Sequence, residues 1–293
     1  MSKLDEYSDI IQENASMASL TWLRIGGPIE RVAAPRSEEE LQGLLRARAE
    51  EGIDVRVLGD GSNILASDLG VPGLAIRLVE EAFCQIRIDP PFVTSGAGVK
   101  LGRLATATAS EGLAGLEGMV GVPGTVGAAA TSNVTTVDAA LEQYVESARV
   151  ATYDGKIIEL SKNEIVFGRR TSNLGSYVVL SVKFKLTQEN PVELVKRLQK
   201  IWIARKKSRP ELDGSGFARM FKNPGGLRAA ELIEEQGFTG TRIGGASICE
   251  TDPNLVVADV GCSSEDVKRL VALIEKQVNE RSGVKLEREL ELW

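Results

Sequence analysis

Two glycine-rich turns are the residues of this sequence best suited to bind a charged ligand. The first, Gly59-Asp60-Gly61-Ser62-Asn63, follows the β-rich run Asp54–Leu58, and the second lies in the stretch Gly118–Ala130. Glycines let successive backbone N–H groups approach an anion closely, and such a nest binds phosphate without a helix. Ser62 and Asn63 add side-chain hydrogen bonds. The turns therefore predict a cofactor that contains a diphosphate.

The first turn partly matches the dinucleotide fingerprint of Rossmann folds. Gly59 and Gly61 follow a strand, and Glu80 and Glu81 come roughly 20 residues later. However, Ile64 occupies the third glycine position, and a Gly/Pro loop follows instead of a helix. A Rossmann site holds the pyrophosphate on that helix, so we favour a different nucleotide-binding fold.

The absence of histidine restricts the catalytic chemistry further. It excludes Ser-His-Asp and Cys-His nucleophile systems, the HExxH zinc helix and the commonest acid/base group near neutral pH. A cofactor is therefore expected to supply the difficult step, assisted by Arg, Glu, Ser or Lys. The three cysteines, Cys84, Cys249 and Cys262, are widely spaced. Their spacing argues against disulfides or a metal site and fits a reducing compartment.

Composition favours a soluble protein of about two domains. The chain has 293 residues, 43% of them hydrophobic, and a formal net charge of -6. The acidic balance argues against a general nucleic-acid partner, which needs clustered Lys and Arg. The N-terminal residues lack the pattern of a secretory signal, and no stretch is long and apolar enough to span a bilayer. We therefore expect a cytoplasmic protein without a membrane partner. We also expect a monomer, although composition does not bear on this.

The elements that must position the glycine turns form an α+β pattern. Capping boxes at Ser37–Glu40 and Ser263–Asp266 each predict the start of a helix. Asp154-Gly155 between two β-rich runs predicts a hairpin. Gly118–Ala130 is interpreted as a buried turn wrapped on a ligand, and the polar segment Lys207–Gly216 as a domain boundary. Further helices are predicted at Leu101–Ser110, Val192–Lys206 and Arg228–Gln236, and strands at Gly73–Leu78, Phe92–Ser95 and Val178–Leu186.

A series of segments, in order along nearly the whole chain, resembles the UDP-N-acetylenolpyruvoylglucosamine reductase (MurB) family. One glycine loop alone would be weak support, but the ordered set is specific. The segments are TWLRIGG at 21–27, LGDGSNILASD at 58–68, GLEGMVGVPGTVGA at 115–128, FGRRTS at 167–172, FKNP at 221–224, AELIE at 230–234 with RIGGA at 242–246, and LERE at 286–289.

The resemblance implies a fold, a division into domains and a reaction. It implies two FAD-binding subdomains of the p-cresol methylhydroxylase/vanillyl-alcohol oxidase type, at 1–80 and 81–206, and a C-terminal α+β substrate-binding domain at 207–293. In the implied reaction NADPH reduces FAD, and the flavin passes hydride to UDP-N-acetylglucosamine enolpyruvate. The product, UDP-N-acetylmuramate, is a precursor of bacterial peptidoglycan.

The resemblance also implies roles for individual residues. Arg170 is similar to the family's arginine that grips the substrate carboxylate, and Glu289 to a glutamate that assists as a donor when its pKa is raised. A UDP-sugar substrate would meet Lys222, Asn223 and Arg242. FAD would be held by Gly59, Asp60, Gly61, Ser62, Asn63, Gly121, Pro123, Gly124, Thr125, Gly127 and Ala128.

The sequence departs from the family at the proton donor. Two residues before the phenylalanine of FKNP, where the family has serine, this chain has Arg219. Arginine stays protonated to roughly pH 12 or beyond and is a poor donor, although it can stabilise an enolate electrostatically. Ser215, brought closer by a shifted loop, and water are the other candidate donors.

Further departures concern the substrate. The family's N-A-G-A-Y-G loop reads Asn133-Val134-Thr135-Thr136, and the aspartate expected after Arg170 is Thr171. A basic segment reads Cys249-Glu250-Thr251-Asp252-Pro253, after which Asn254 is retained. Three functions therefore stay open: a working reductase with a modified proton route, a flavoprotein for another anionic or nucleotide substrate, and a non-catalytic binding or regulatory protein.

Overall fold

The computed structural model describes residues 2–207 and 215–293. Its α-helices are α1 Met17–Leu20, α2 Glu38–Glu50, α3 Leu101–Ser110, α4 Val126–Thr131, α5 Pro191–Lys207, α6 Ala229–Glu235 and α7 Ser264–Ser282. Its strands are β1 Ile11–Ser16, β2 Pro28–Ala33, β3 Val55–Val57, β4 Ile64–Leu65, β5 Val71–Ile76, β6 Ile86–Asp89, β7 Phe92–Gly96, β8 Leu113–Ala114, β9 Val145–Ala151, β10 Ile157–Ser161, β11 Phe167–Gly168, β12 Thr171–Ser172, β13 Val178–Lys185, β14 Thr187–Gln188, β15 Gly216–Arg219, β16 Phe221–Lys222, β17 Arg242–Ile243, β18 Ala246–Ile248, β19 Leu255–Ala258, β20 Glu287–Arg288 and β21 Glu291–Leu292.

The first compact unit comprises Met1–Glu13, Arg31–Asp60 and Gly73–Lys206. Its main sheet has five antiparallel strands in the order β10-β9-β13-β7-β6. Helix α4 packs against β13 of this sheet, and Val126, Ala130 and Val182 belong to the hydrophobic core. The core therefore fixes the helix that follows the second glycine turn.

Local sequence signals explain the main elements of this unit. At the start of α2 the Ser37 side chain accepts a hydrogen bond from the backbone N–H of Glu40, as the capping box predicts. The Asp154-Gly155 hairpin prediction is also confirmed, because β9 and β10 pair with Ile157 opposite Ala151. Gly155 adopts a φ of 87°, which glycine reaches without steric cost.

The interpretation of Gly118–Ala130 as a turn throughout is wrong, because α4 occupies Val126–Thr131. The alanines at 128–130 favour a helix, but Val126, Gly127 and Thr131 do not, and a helix of 6 residues is too short to be stable by itself. Tertiary contacts supply the missing stability: Val126, Ala129 and Ala130 are buried in the core.

The second compact unit comprises Asn14–Glu30, Gly61–Pro72 and Lys207–Trp293. It contains the antiparallel sheet β15-β19-β18-β17, and the short pairs β16-β20 and β4-β21. Helix α7 begins at the predicted box, in which both Ser263 and Asp266 make their capping hydrogen bonds. Its buried positions Val267, Leu270, Val271, Ile274 and Val278 recur at helical spacing.

Helices together with mainly antiparallel sheets, in which β3-β5 and β4-β21 are parallel pairs, confirm the predicted α+β class. Strands β1, β2, β5 and β3 form a further four-stranded sheet in the order β1-β2-β5-β3. The three-part division at 80/81 and 206/207 stays a prediction, and most of the predicted boundary segment Lys207–Gly216 lies outside the described residues. None of the helices in the described ranges combines the length and apolarity that crossing a membrane requires.

Candidate active site

The start of the first glycine turn lies directly against the second turn. A Cβ atom added at Gly59 would lie 3.0 Å from Oγ1 of Thr125 and 3.1 Å from Cβ of Ala128. The carboxylate of Asp60 pairs with the ammonium group of Lys100. Lys100 directly precedes α3, and its backbone forms an isolated antiparallel β-bridge with Thr125. Glycine at position 59 is therefore explained by the close approach of the two chain segments.

The rest of the first turn belongs to the second unit. Gly61 has a φ of 63°, and an added Cβ would lie 2.2 Å from the carbonyl oxygen of Leu20. The carbonyl oxygen of Gly61 accepts a hydrogen bond of 2.9 Å from the backbone N–H of Trp22. The Thr21–Gly27 segment thus holds the turn by backbone contacts that only glycine permits.

Glycines 121, 124 and 127 do different things in the second turn. Gly121 and Gly124 have φ values of 75° and 118°, so they shape the turn itself. Gly127 lies within α4 and donates its N–H to the carbonyl of Ala97 at 2.9 Å, with an added Cβ 2.8 Å from Ala97 Cβ. Its role is close packing, because its N–H is already used. Pro123 lies between the two shaping glycines.

The remaining groups fit the diphosphate-containing cofactor that the sequence predicts. Within the described residues, the backbone N–H groups of 59–63 donate no backbone hydrogen bond. Unused N–H groups in a glycine turn form an anion-binding concavity. Thr125 caps α4 and accepts a 3.5 Å hydrogen bond from the N–H of Ala128, at the end of the helix where partial positive charge collects.

Arg170 is presented by a tight hairpin of the first unit. Strands β11 and β12 pair with Gly168 opposite Thr171, so Arg169 and Arg170 form the connection. Arg170 has a φ of 55°, an uncommon left-handed conformation for a non-glycine residue. The hydroxyl of Ser172 donates to the carbonyls of Ala130 and Thr131 at 2.9 and 3.0 Å. The hairpin is thereby attached to the C-terminal end of α4.

Arg219 ends strand β15 and is fixed at both its backbone and its side chain. Its N–H donates to Oδ1 of Asn63 at 3.0 Å, and its Nη2 donates to Oδ2 of Asp252 at 3.1 Å. The side chain keeps 42% of its surface exposed. The arginine is thus oriented by a carboxylate while remaining accessible to a ligand.

Ser215 lies at the other end of the same strand. Its hydroxyl donates to Oδ1 of Asp259 at 3.4 Å, whereas Arg219 pairs with Leu255 at the opposite end of β19. Four residues of extended chain span roughly 13 Å. The structure therefore does not bring Ser215 to the position of Arg219.

The backbone of Glu289 is hydrogen-bonded to Met220, the residue that follows Arg219. Its N–H donates to the carbonyl oxygen of Met220 at 2.9 Å, and the N–H of Glu291 donates to the carbonyl of Asn63 at 3.0 Å. Asn63 therefore joins the first glycine turn to both Arg219 and the C-terminal strand. The sequence assigned Asn63 to the cofactor alone, and a separation of 156 residues hid this second role.

A buried amide supports this group of residues. Asn254 is fully buried, and its Oδ1 accepts from the N–H of Phe221 at 3.0 Å while its Nδ2 donates to the Phe221 carbonyl at 2.8 Å. The sequence noted Asn254 only as a retained family residue. Its reciprocal bonds hold β16 in register beside Arg219.

The predicted substrate residues lie in the second unit with internal partners. Lys222 pairs with Glu287 and keeps 17% of its side chain exposed. Asn223 accepts a hydrogen bond from the N–H of Ala229 at 3.0 Å at the start of α6. Arg242 pairs with Asp259, near Ser215. In the strand order β15-β19-β18-β17, Arg242 on β17 and Arg219 on β15 lie at opposite edges of the sheet. Arg242 therefore lies apart from Arg219.

Comparisons with known proteins identify both halves of the chain. The FAD binding domain family matches residues 29–161, and the C-terminal domain of UDP-N-acetylenolpyruvoylglucosamine reductase matches residues 212–293. A UDP-N-acetylenolpyruvoylglucosamine reductase of Rhodopirellula baltica is 35% identical over 97% of this chain and 93% of its own length.

Solved structures agree with these matches. The UDP-N-acetylenolpyruvylglucosamine reductase of Thermus caldophilus is 34% identical, with a TM-score of 0.80 over 97% of this chain and 98% of that one. The 6-hydroxy-D-nicotine oxidase of Arthrobacter nicotinovorans, 15% identical, has a TM-score of 0.60 over 94% of this chain and 86% of that one. The likeness confirms the predicted p-cresol methylhydroxylase/vanillyl-alcohol oxidase type of FAD-binding fold.

Proposed function

The chain belongs to the UDP-N-acetylenolpyruvoylglucosamine reductase family, and from this we propose that it reduces UDP-N-acetylglucosamine enolpyruvate to UDP-N-acetylmuramate for peptidoglycan synthesis. The observation that carries the proposal is the contact of Gly59 with Thr125 and Ala128, which joins two turns assigned to the flavin diphosphate. FAD, when bound, supplies hydride transfer from NADPH to the double bond of the substrate.

The chain's own residues then stabilise the charge that hydride addition creates. Addition to an enol-ether carboxylate builds an enolate, and preorganised cations facing that enolate lower the barrier. We assign this role to Arg170, which has the planar donor fork that a carboxylate accepts. The hydrogen bonds of Ser172 support the assignment, because they attach the Arg170 hairpin to α4.

Arg219 is proposed to stabilise the enolate without delivering the proton. Its guanidinium stays charged at physiological pH, and its ion pair with Asp252 leaves 42% of the side chain exposed. Glu289, whose backbone bonds to Met220 beside Arg219, is the carboxyl group proposed to bring the proton, directly or through water. Ser215 is not included, because its hydroxyl is bonded to Asp259 at the other end of β15.

Cofactor and substrate contacts follow the same assignment. We propose that FAD is held by Gly59, Asp60, Gly61, Ser62, Asn63, Gly121, Pro123, Gly124, Thr125 and Ala128, with Gly127 acting through packing. Lys222, Asn223 and Arg242 are proposed to meet the UDP-sugar, with Lys222 as the cation for a phosphate. The division at 1–80, 81–206 and 207–293, a monomeric state and a cytoplasmic location complete the proposal.

Asp252 in the acidic segment is paired with a cation, which weakens the case for another substrate. The segment suggested a flavoprotein for a different ligand because acids replaced cations there. The 3.1 Å bond from Arg219 to Asp252 supplies a cation from another strand. The charge of Asp252 is therefore balanced by Arg219, and the other two functions become outcomes of the experiment.

Two anaerobic half-reactions test the proposal. NADPH added to the purified protein with FAD should bleach the flavin absorbance, and UDP-N-acetylglucosamine enolpyruvate should then restore it. Arg170→Ala should keep the first step and slow the second. Bleaching without re-oxidation by this substrate would indicate another substrate, and FAD binding without bleaching would indicate a non-catalytic protein.

A further inference from the structure

Asn133 is a buried side chain to which the proposed reaction assigns no role. It keeps 3% of its surface exposed and adopts a φ of 43° just after the end of α4. Its Nδ2 donates to the carbonyl oxygen of Gly168 at 2.9 Å and to Oε2 of Glu142 at 2.7 Å. Because both partners are acceptors, the orientation of the amide is determined. Asn133 is thus hydrogen-bonded to β11, the strand that precedes Arg170.

Helix α4 connects the region of the Asn133 hydrogen bonds to the second glycine turn. Thr125 caps its N-terminal end, and the carbonyls of Ala130 and Thr131 at its C-terminal end accept the hydroxyl of Ser172. Asn133 holds β11 and Ser172 holds β12, so both strands of the Arg170 hairpin are attached to the same helix end. The helix and Asn133 together set where Arg170 lies relative to Thr125.

An asparagine at this position has one unfavourable feature and one that glycine cannot replace. Its Oδ1 is buried and, within the described residues, accepts no hydrogen bond, which is unfavourable for a buried polar atom. Asparagine tolerates the left-handed conformation, but glycine does so better. What asparagine alone adds over glycine is the Nδ2 donor to Gly168 and Glu142.

We propose that Asn133 is a positioning residue that fixes the Arg170 hairpin for reaction with the substrate carboxylate. The inference rests on the proposed function for the role of Arg170, and on the hydrogen bonds of Asn133 for the mechanism. Misplacing a catalytic group by a fraction of an ångström to 1 Å reduces rates by up to roughly 100-fold. Loss of the Nδ2 donor should therefore slow the substrate step while leaving reduction by NADPH unchanged.

Asn133→Gly is the main variant, because it keeps the backbone conformation and removes the amide. Ser132→Ala is the matched control, because the Ser132 hydroxyl donates to the carbonyl of Ala128 within α4. Glu142→Ala is a milder second variant, since Glu142 is exposed and its loss only loosens Asn133. The same anaerobic half-reactions are measured for all three.

We expect Asn133→Gly to slow re-oxidation by the substrate roughly 10- to 100-fold, Glu142→Ala to slow it several-fold, and Ser132→Ala to behave as wild type. In an Arg170→Ala background, Asn133→Gly should have no further effect, since it acts through Arg170. An equal loss in that background, unchanged rates in both Asn133 and Glu142 variants, or a parallel loss of flavin bleaching would each overturn the proposal.

Hydrogen exchange separates this proposal from the proposed function. In the FAD-bound protein, exchange of the amides at 168–172 should rise in Asn133→Gly and not in Ser132→Ala, whatever the substrate. If wild type fails to react with the enolpyruvate but the exchange changes as expected, the function is wrong and the positioning contact stands. Unchanged exchange in Asn133→Gly refutes the contact itself.

Discussion

At Arg219 and Asp252, two departures from the family sequence compensate each other. Taken separately, an arginine at the serine position and an acid in a basic segment each alter the charge of the site. In the structure the two side chains are bonded at 3.1 Å. The pair keeps the summed charge near zero and leaves the guanidinium oriented for an anionic ligand.

Replacing Arg219 should affect activity far more than stability. Loss of a preorganised donor costs on the order of 10²-fold in turnover, whereas an ion pair this exposed contributes about 1 kcal/mol or less to folding. Arg219→Ala should therefore lower kcat by about 10²-fold with little change in urea unfolding. Arg219→Lys should recover part of the rate, because it keeps the charge but not the fork. Full activity in Arg219→Ala would remove the residue from the site.

Gly59→Ala should weaken FAD binding. The added methyl would meet Thr125 Oγ1 and Ala128 Cβ at 3.0 and 3.1 Å, so these side chains in the second turn must shift by a few tenths of an ångström. We expect a loss of about tenfold in affinity, or roughly 1.4 kcal/mol, by titration of the apoprotein with FAD. Gly102→Ala in α3 is the control, since its nearest neighbour lies at 3.8 Å. Equal FAD affinity in both variants would contradict this account of the turn.

The thiol of Cys262 should be unreactive in the folded protein. Burial, with the nearby carboxylates of Asp266 and Asp259, raises the pKa of Cys262 to about 11. At pH 8 about one thiol in a thousand is then the nucleophilic thiolate. Alkylation by iodoacetamide, followed by peptide mass spectrometry, should be at least roughly 100-fold slower than in the urea-unfolded chain. Comparable rates in the two states would show that the burial is not maintained.

At the scale of elements, sequence signals succeeded where the deciding contacts are local. The box at Ser263–Asp266 and the Asp154-Gly155 turn act over a few residues, and α7 and the β9-β10 hairpin form as predicted. Helix α4 was missed because its stability comes from packing against β13, which lies some 50 residues further along. Propensity cannot report such a contact.

The capping box of α7 should make folding sensitive to acid. The N–H groups of Gly245 and Ser263 hold the pKa of the Asp266 carboxyl below its usual range. A lowered folded-state pKa stabilises the protein above the unfolded value of about 3.9 and loses that contribution as pH falls through the folded value. Asp266→Asn should therefore be less stable than wild type at pH 7 and approach it below about pH 4.

Urea unfolding at a series of pH values measures this difference, with Glu265→Gln as the control. Glu265 is an exposed acid in the same first turn, so it tests the helix dipole without the two backbone bonds. If the free energies of unfolding of Asp266→Asn and wild type differed by the same amount at every pH, the charge of the Asp266 carboxylate would not contribute to stability.

At the scale of the whole molecule, the ordered motifs predicted the fold class, the cofactor class and the family. They could not predict how Asn63 bonds to Arg219, 156 residues away, because no local pattern encodes such a contact. They also left Ser215 open as a proton donor until the register of β15 and β19 placed it beside Asp259. Composition could exclude mechanisms, but only tertiary structure places side chains.

The absence of histidine predicts an unusual pH response for the whole chain. Histidine is the side chain whose ordinary pKa lies between pH 5 and 8, so without it only the N-terminal amine ordinarily titrates in the upper part of that range. Because stability changes with pH only where folded and unfolded states bind different numbers of protons, the free energy of unfolding should vary by less than about 1 kcal/mol from pH 6 to 8. Urea unfolding of the FAD-bound protein measures this. A steep change near pH 6.5 would contradict this expectation.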